Sequence, residues 1–213
     1  MVFTPSRESS SSGGFRAHLE ASFNNTNLVH LSAGSSVPLL KNSIWLVVRG
    51  MVKLTAISEQ GDELLLGLVG PNEPFGEPLS QVEAYSAITL ADVDLLCLSI
   101  ETINRDPQLA VGLLQAVTQR YRQSEALLAL LGLRRIEERV RGFLELLATS
   151  YGQPCDKGLQ LNIKLTHQDI ASALSTTRVT VTRILGSLRE EGWLHLDDQR
   201  RLVLAFVPSN ASR

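Results

Sequence analysis

The stretch Ser175–Gly192, STTRVTVTRILGSLREEG, decides how the rear of this 213-residue chain folds. Val179-Thr180-Val181-Thr182 alternates β-branched apolar and polar residues, the usual mark of a half-buried strand. On a 100° helical wheel, however, Val181, Ile184, Leu185 and Leu188 collect on one side at i, i+3, i+4 and i+7. Arg178, Val179, Thr182, Arg183 and Gly186 collect on the other. A strand would put Val179, Val181 and Arg183 on one face and spend apolar surface on a cation. Helical phase removes that conflict, so the segment is expected to be a helix.

Working upstream, Thr166 and Asp169 stand at capping-box spacing, where a hydroxyl accepts from the third amide of a new helix. Ile170, Ala173 and Leu174 supply an inner face, and Ser175-Thr176-Thr177 interrupts it. Ala171 is small where two helices would approach. Two short helices joined by a tight turn, the second small and basic on its outer face, make a helix-turn-helix. A major groove about 12 Å wide admits such a helix, and Arg178 and Arg183 can each donate in pairs to guanine O6 and N7. Val179 and the threonine methyls suit thymine methyl groups. Thr176 and Thr177, with His167 and Gln168 at the start of the first helix, suit phosphate oxygens.

Working downstream, Trp193 to Leu196 and Leu202 to Phe206 read as strands joined by Asp197-Asp198-Gln199-Arg200-Arg201. A hairpin behind a helix-turn-helix is a wing, and Arg200 and Arg201 at its tip are placed to reach sugar–phosphate. The bland alternative is a helical hairpin with solvated arginines. Residues 135–150 read as a helix with Ile136, Val140, Phe143, Leu144 and Leu147 inward. Residues 151–158 read as a loop and 159–165 as a short strand.

The front half has a different texture. Residues 1–22 form an arm whose SRESSSSGG tract has too little apolar content to fold. From residue 23 to 100, short β-type runs (44–48, 52–57, 63–69, 87–90 and 95–98) alternate with turns at Gly50, Glu59–Asp62 and Gly70-Pro71-Asn72. That spacing predicts a small antiparallel roll or barrel. Residues 101–133 then carry a long helix in which Leu114, Val117, Tyr121, Ser124, Leu128 and Leu131 recur at spacings of 3, 4, 3, 4 and 3, a heptad seam. Leu113, Leu127 and Leu130 form a second row. One row can meet a second copy of the chain while the other covers its own fold; a helix packed wholly on its own roll is the alternative. The architecture expected is α+β: an N-terminal β-roll, a long dimerisation helix and, from 134 to 213, a winged helix-turn-helix.

Charge agrees with that order. The formal net charge is −2, but residues 1–133 carry 8 Lys+Arg against 13 Asp+Glu, and 134–213 carry 12 against 9. A polyanion is expected at the rear. No apolar run approaches the roughly 20 residues needed to span a bilayer, and neither a signal peptide nor a disulfide framework is expected. Cytoplasmic location follows. Cys97 and Cys155 lack metal spacing, so no metal site is expected. No nucleophile–base pair or phosphate-binding glycine loop stands out, so no catalytic residue is assigned and an enzyme is not expected.

HQDIASALSTTRVTVTRILGSLREEG resembles the DNA-binding motif of the CRP/FNR superfamily of bacterial transcription regulators. The core TRVTVTRILGSLRE, with QPCDKGLQLNIKLTHQDIA before it, is especially similar to the NtcA-type cyanobacterial nitrogen regulators. VRGMVKLTAISEQGDELLLGLVGPNEPFGEPLS resembles the superfamily's cyclic-nucleotide-binding-like (cupin) roll. The resemblance covers residues 23–207. It implies a homodimer on double-stranded DNA with a palindromic site of the GTA-N8-TAC kind, base reading by Arg178, Val179 and Arg183, and activation through RNA polymerase. Ser175 stands where the turn usually has glycine, a departure that should cost roughly 1 kcal/mol.

The resemblance also implies an effector between roll and helix. Phe75-Gly76-Glu77 matches the start of the family's cassette and Ser86 its end, while Arg120 and Glu125 align with a 2-oxoglutarate site. Tyr85 stands where cyclic-AMP binders place an arginine and cannot neutralise phosphate, so a 2-oxoglutarate-like anion is favoured over cyclic AMP. Glu83 near the site and a shortened loop oppose any anion, and Arg120 reads equally as a surface cation beside the seam. A chain with no effector, a haem site at His30, and a sensor module with vestigial DNA binding stay open; two cysteines exclude a four-thiolate iron–sulfur cluster.

Overall fold

The computed structural model describes Leu19, residues 28–83 and residues 85–205. It divides into two compact units, residues 1–125 and 126–213. The first unit is a roll of two antiparallel sheets. One orders β1 (Leu28–Leu31), β7 (Val93–Ser99), β2 (Ser43–Arg49) and β5 (Pro74–Phe75). The other orders β4 (Glu63–Val69), β3 (Val52–Ile57) and β6 (Tyr85–Thr89).

The run SIWLVVR in β2 is apolar without alternation because both of its faces are buried. Trp45 and Val47 point one way and join Val52, Leu54, Phe75, Val93 and Leu95 in the interior of the roll. Leu46 points the other way and joins Leu96 and Leu98 of β7. That second layer is closed by Leu109 and Leu113 of a helix, so the pleat of two neighbouring strands supplies two cores. At the turn between β2 and β3, Gly50 has φ +90, and a Cβ there would lie 2.4 Å from the Asp92 carbonyl oxygen. Only glycine fits.

Leu19 is 7% exposed and packs in the second layer, so the expected disordered arm cannot run to residue 22. Residues 1–18 lie outside the described residues. Sequence reading also passed over β1 and β5, both too brief for periodicity to register, and merged a short helix α1 (Ile100–Arg105) into the long one. Ser99 caps α1, its hydroxyl accepting from the Thr102 amide at 3.0 Å. The long helix α2 (Pro107–Leu131) therefore starts later than expected. Asp106 Oδ1 accepts from the amides of Gln108 and Leu109, both at 3.0 Å, and Pro107 takes the first helical position, which needs no donor.

In the second unit, the end of α2 is followed by α3 (Ile136–Tyr151). Leu127 and Leu130 are buried, and Leu130 fills the notch left by Gly142 of α3, where a Cβ would come within 2.4 Å of its Cδ2. The expected loop at 151–158 is instead a strand, β8 (Gly152–Cys155), paired with β9 (Gly158–Leu161). Its Gly-Gln-Pro-Cys sequence lacks β-branched residues, and edge position in the sheet accommodates Pro154. Then come α4 (His167–Ala173), α5 (Arg178–Glu190), β10 (Leu194–Leu196) and β11 (Leu202–Ala205). The sheet orders β10-β11-β9-β8.

Candidate nucleic-acid interface

The valine–threonine run is helical. Val181 and Leu188 are fully buried, Ile184 and Leu185 are 4% exposed, and Val179 on the opposite side is 79% exposed. Arg178, Thr182 and Arg183 are exposed on that outer face. Burying four aliphatic side chains outweighs the β-preference of two valines and two threonines. Thr177 caps the helix, accepting from the Thr180 amide at 3.2 Å.

The first helix is fixed by a complete capping box. The Thr166 hydroxyl accepts from the Asp169 amide at 3.0 Å, and the Asp169 carboxylate accepts from the Thr166 amide at 2.8 Å. Aspartate reaches despite its shorter stem. Ala171 is fully buried where α4 meets α5. Between the helices Ser175 has φ +50, the left-handed conformation expected for a position normally filled by glycine.

His167 Nδ1 lies 2.8 Å from Thr182 Oγ1, linking the two helices. The Thr182 hydroxyl also donates to the Arg178 carbonyl oxygen at 2.9 Å. One hydroxyl has one proton, so with it committed to that carbonyl, His167 must be the donor in the other bond. Thr182 then presents no free donor on the outer face of α5. Sequence reading placed both residues but could not see that they are joined.

The two wing arginines differ. Arg200 sits at the exposed turn with φ +61. Arg201 is held within the hairpin: its Nε donates to Asp197 Oδ2 at 2.6 Å and its Nη1 to Asn162 Oδ1 at 3.0 Å. Desolvation opposes charge on Asp197, but bonds from the Arg201 amide, the Arg201 side chain and Gln160 together hold its carboxyl below the usual range. Arg201 thus shapes the turn that carries Arg200.

On α2 the heptad seam divides. Leu114, Tyr121 and Leu128 are 67%, 62% and 70% exposed, whereas Val117 and Leu131 are half-buried against their own chain and Ser124 is exposed. The uncovered stripe thus centres on the first position of each heptad. Leu113, Leu127 and Leu130 form the inward row.

Of the expected effector residues, Gly76 bonds the Tyr85 phenol through its backbone and Arg120 lies near that phenol, whereas Glu125 bonds Tyr121 on the stripe. Phe75 is a core residue, 1% exposed, and Glu77 is exposed. Gly76 has φ +147 and lies against the Ser43 carbonyl. Ser86 Oγ is 2.8 Å from Thr55 Oγ1. Arg120 Nη1 donates to the Leu68 carbonyl and, at 2.7 Å, to Gln123 Oε1. Its guanidinium lies against Gly67, where a Cβ would be 3.2 Å from Nη1. Burial raises the Tyr85 phenol, opposed by the nearby Arg120 charge. Glu125 instead bonds Tyr121 on the stripe, raising that phenol. Gln123, 9% exposed and holding Arg120, was missed: a lone glutamine in a helix carries no periodic signal. Among the described residues no group of three His, Cys, Asp or Glu side chains could hold a metal, and no helix is long and apolar enough to cross a membrane.

Comparison with known proteins agrees with both halves. A Crp-like helix-turn-helix domain model matches residues 138–205, and a cyclic nucleotide-binding domain model matches residues 40–105, which marks the roll as a small-molecule effector domain. The chain is 33% identical over 180 residues to the global nitrogen regulator of Nostoc sp., covering 80% of this chain and 79% of that protein. It is 34% identical over 170 residues to the regulatory protein CysR of Synechococcus elongatus, covering 78% and 79%. A solved CRP/FNR-family transcriptional regulator from Thermus thermophilus superposes with TM-score 0.66 at 29% identity over 83% of this chain and 92% of its own. A cyclic nucleotide-binding-domain protein from Listeria monocytogenes gives TM-score 0.72 at 17% identity over 83% and 87%, a likeness of fold. The chain belongs to the CRP/FNR family of DNA-binding transcription regulators.

Proposed function

We propose that this regulator binds as a homodimer to a palindromic site of the GTA-N8-TAC kind, with α5 in the major groove of each half-site. The observation that carries the reading is the outer face of α5, where Arg178, Val179 and Arg183 are exposed opposite a buried aliphatic row. Arg178, Val179 and Arg183 read bases; Thr182 offers its methyl. Thr176, Thr177, His167, Gln168 and Arg200 hold the phosphate backbone and fix register. The stripe of Leu114, Tyr121 and Leu128 pairs with its twin, setting the half-sites about one helical turn apart. Activation by contact with RNA polymerase, and a cytoplasmic location, complete the proposal.

For the effector, a cyclic nucleotide fits poorly. Tyr85 offers no cation, and the Ser86 hydroxyl already has Thr55 as its partner. Arg120 commits Nη1 to Leu68 and Gln123. Its remaining Nε–Nη2 edge suits a small carboxylate such as 2-oxoglutarate better than a bulky phosphodiester.

The deciding experiment is fluorescence anisotropy on a GTA-N8-TAC duplex and on one with both triplets scrambled, with and without 2-oxoglutarate or cyclic AMP. Preference for the matched duplex supports the proposal; equal affinity for both would leave only a roll with non-specific affinity for DNA.

A further inference from the structure

Arg139 stands in the first turn of α3, where a cation opposes the helix dipole. Helix stability does not explain its presence. Its contacts do: Nε donates to the Leu133 carbonyl at 2.8 Å and Nη1 to the Leu174 carbonyl at 3.3 Å. Leu133 belongs to the short link between α2 and α3. Leu174 ends α4, is fully buried, and precedes Ser175, the left-handed residue of the helix-turn-helix turn. A carbonyl at a helix terminus lacks an intrahelical donor, and leaving it unpaired in a buried setting is costly. One planar guanidinium thus supplies donors to two backbone segments 41 positions apart in sequence.

Two further contacts make the link mechanically relevant. Leu130, on the last turn of α2, is seated in the Gly142 notch of α3. The Thr176 amide donates to the Ala171 carbonyl at 3.1 Å, so the turn that receives Arg139 also launches α5. We propose that Arg139 is a positioning residue for DNA binding, coupling the link after the dimerisation helix to the turn that orients the recognition helix. The consequence for DNA rests on the function proposed above; the coupling itself does not. Lysine cannot replace it, since a single ammonium lacks the rigid fork needed to hold two carbonyls in fixed directions.

The test uses the full chain and a double-mutant cycle read by hydrogen exchange without DNA. Leu133→Gly loosens the link while keeping its carbonyl. In the otherwise wild-type chain it should speed exchange at the Ser175–Thr177 amides, about tenfold for loss of one charge-assisted bond. In Arg139→Met, or in Arg139→Lys should the methionine variant fail to fold, adding Leu133→Gly should change those amides no further. Effects of Leu133→Gly that are equal in both backgrounds overturn the proposal. On the matched duplex Arg139→Met should weaken binding about tenfold with salt dependence and sedimentation mass unchanged, and unaltered affinity would also overturn it. If wild type ignores the duplex, the DNA reading falls while the exchange cycle still decides the coupling.

Discussion

Replacing Arg178 by alanine separates base reading from backbone holding, provided Arg200→Ala is measured beside it. Arg178 and Arg183 lie five residues apart on α5, a rise of about 7.5 Å, so at 3.4 Å per base step they address positions about two base pairs apart. A bidentate guanine contact contributes roughly 1–3 kcal/mol of discrimination. A homodimer uses each arginine twice, so Arg178→Ala should cost roughly 2–6 kcal/mol on the matched duplex, from about 30-fold upward. On a duplex whose guanine partner is already replaced, the loss should be much smaller, and the ratio between the two duplexes collapses. Arg200→Ala should weaken both duplexes by the same factor. It should also flatten the dependence of log affinity on log salt by roughly 0.9 per phosphate contact, about 1.8 per dimer. Anisotropy titrations between 50 and 300 mM salt, on two duplexes and three proteins, read all of this. As a folding control, Arg178 sits at the first position of α5, where its charge opposes the dipole, so alanine should not lower the melting temperature. If Arg178→Ala lowered affinity equally on both duplexes, α5 would be holding phosphate and its role as reader would be wrong.

Three other perturbations follow from the geometry. Tyr121→Glu places a second carboxylate one turn from Glu125 on the exposed stripe, and sedimentation should show a dimer becoming a monomer; an unchanged mass removes α2 as the pairing surface. Ser175→Gly relieves a left-handed side-chain conformation at φ +50 and should raise the urea midpoint, stabilising by up to about 1 kcal/mol after glycine's entropy is offset; destabilisation would mean that the serine side chain contributes something the backbone does not. Asp94 is bonded by Arg49 and His30, with the Arg49 bond the larger influence, and its carboxyl is lowered. A lowered folded value means that the pair's contribution is present above the ordinary Asp range of about 3.9 and lost as pH falls through the acid region. Asp94→Asn should therefore make acid unfolding of the roll less steep, and an identical acid limb would show that the cluster is a bystander.

Much of the rear was legible because its signals are local. The four buried residues of α5 lie within eight positions and the capping box within four, while the family resemblance, which sets a glycine at Ser175, pointed to the left-handed turn that the structure contains. The seam of α2 was legible as a period but not as a surface. Which of its rows is covered depends on Leu46, Leu96 and Leu98, distant strand residues that close over Leu109 and Leu113. Strands β1, β5 and β8 escaped notice because pairing partners elsewhere in the chain, and no propensity of their own, make them strands.

The least legible part was which charges are available. Arg120, Arg139 and Arg201 look like free cations in the sequence, yet each donates to a carbonyl or side chain of its own unit. Arg178 and Arg183 remain exposed on a helix whose opposite side is sealed. A guanidinium held to a carbonyl fixes shape; one left in water keeps its donors for a partner, at the cost of opposing the dipole in the case of Arg178. That difference explains why a chain of net charge −2 can address a polyanion. The total does not matter when exposed arginines such as Arg178 and Arg183 stand on the outer face of one helix and acidic residues outnumber basic ones only in residues 1–133.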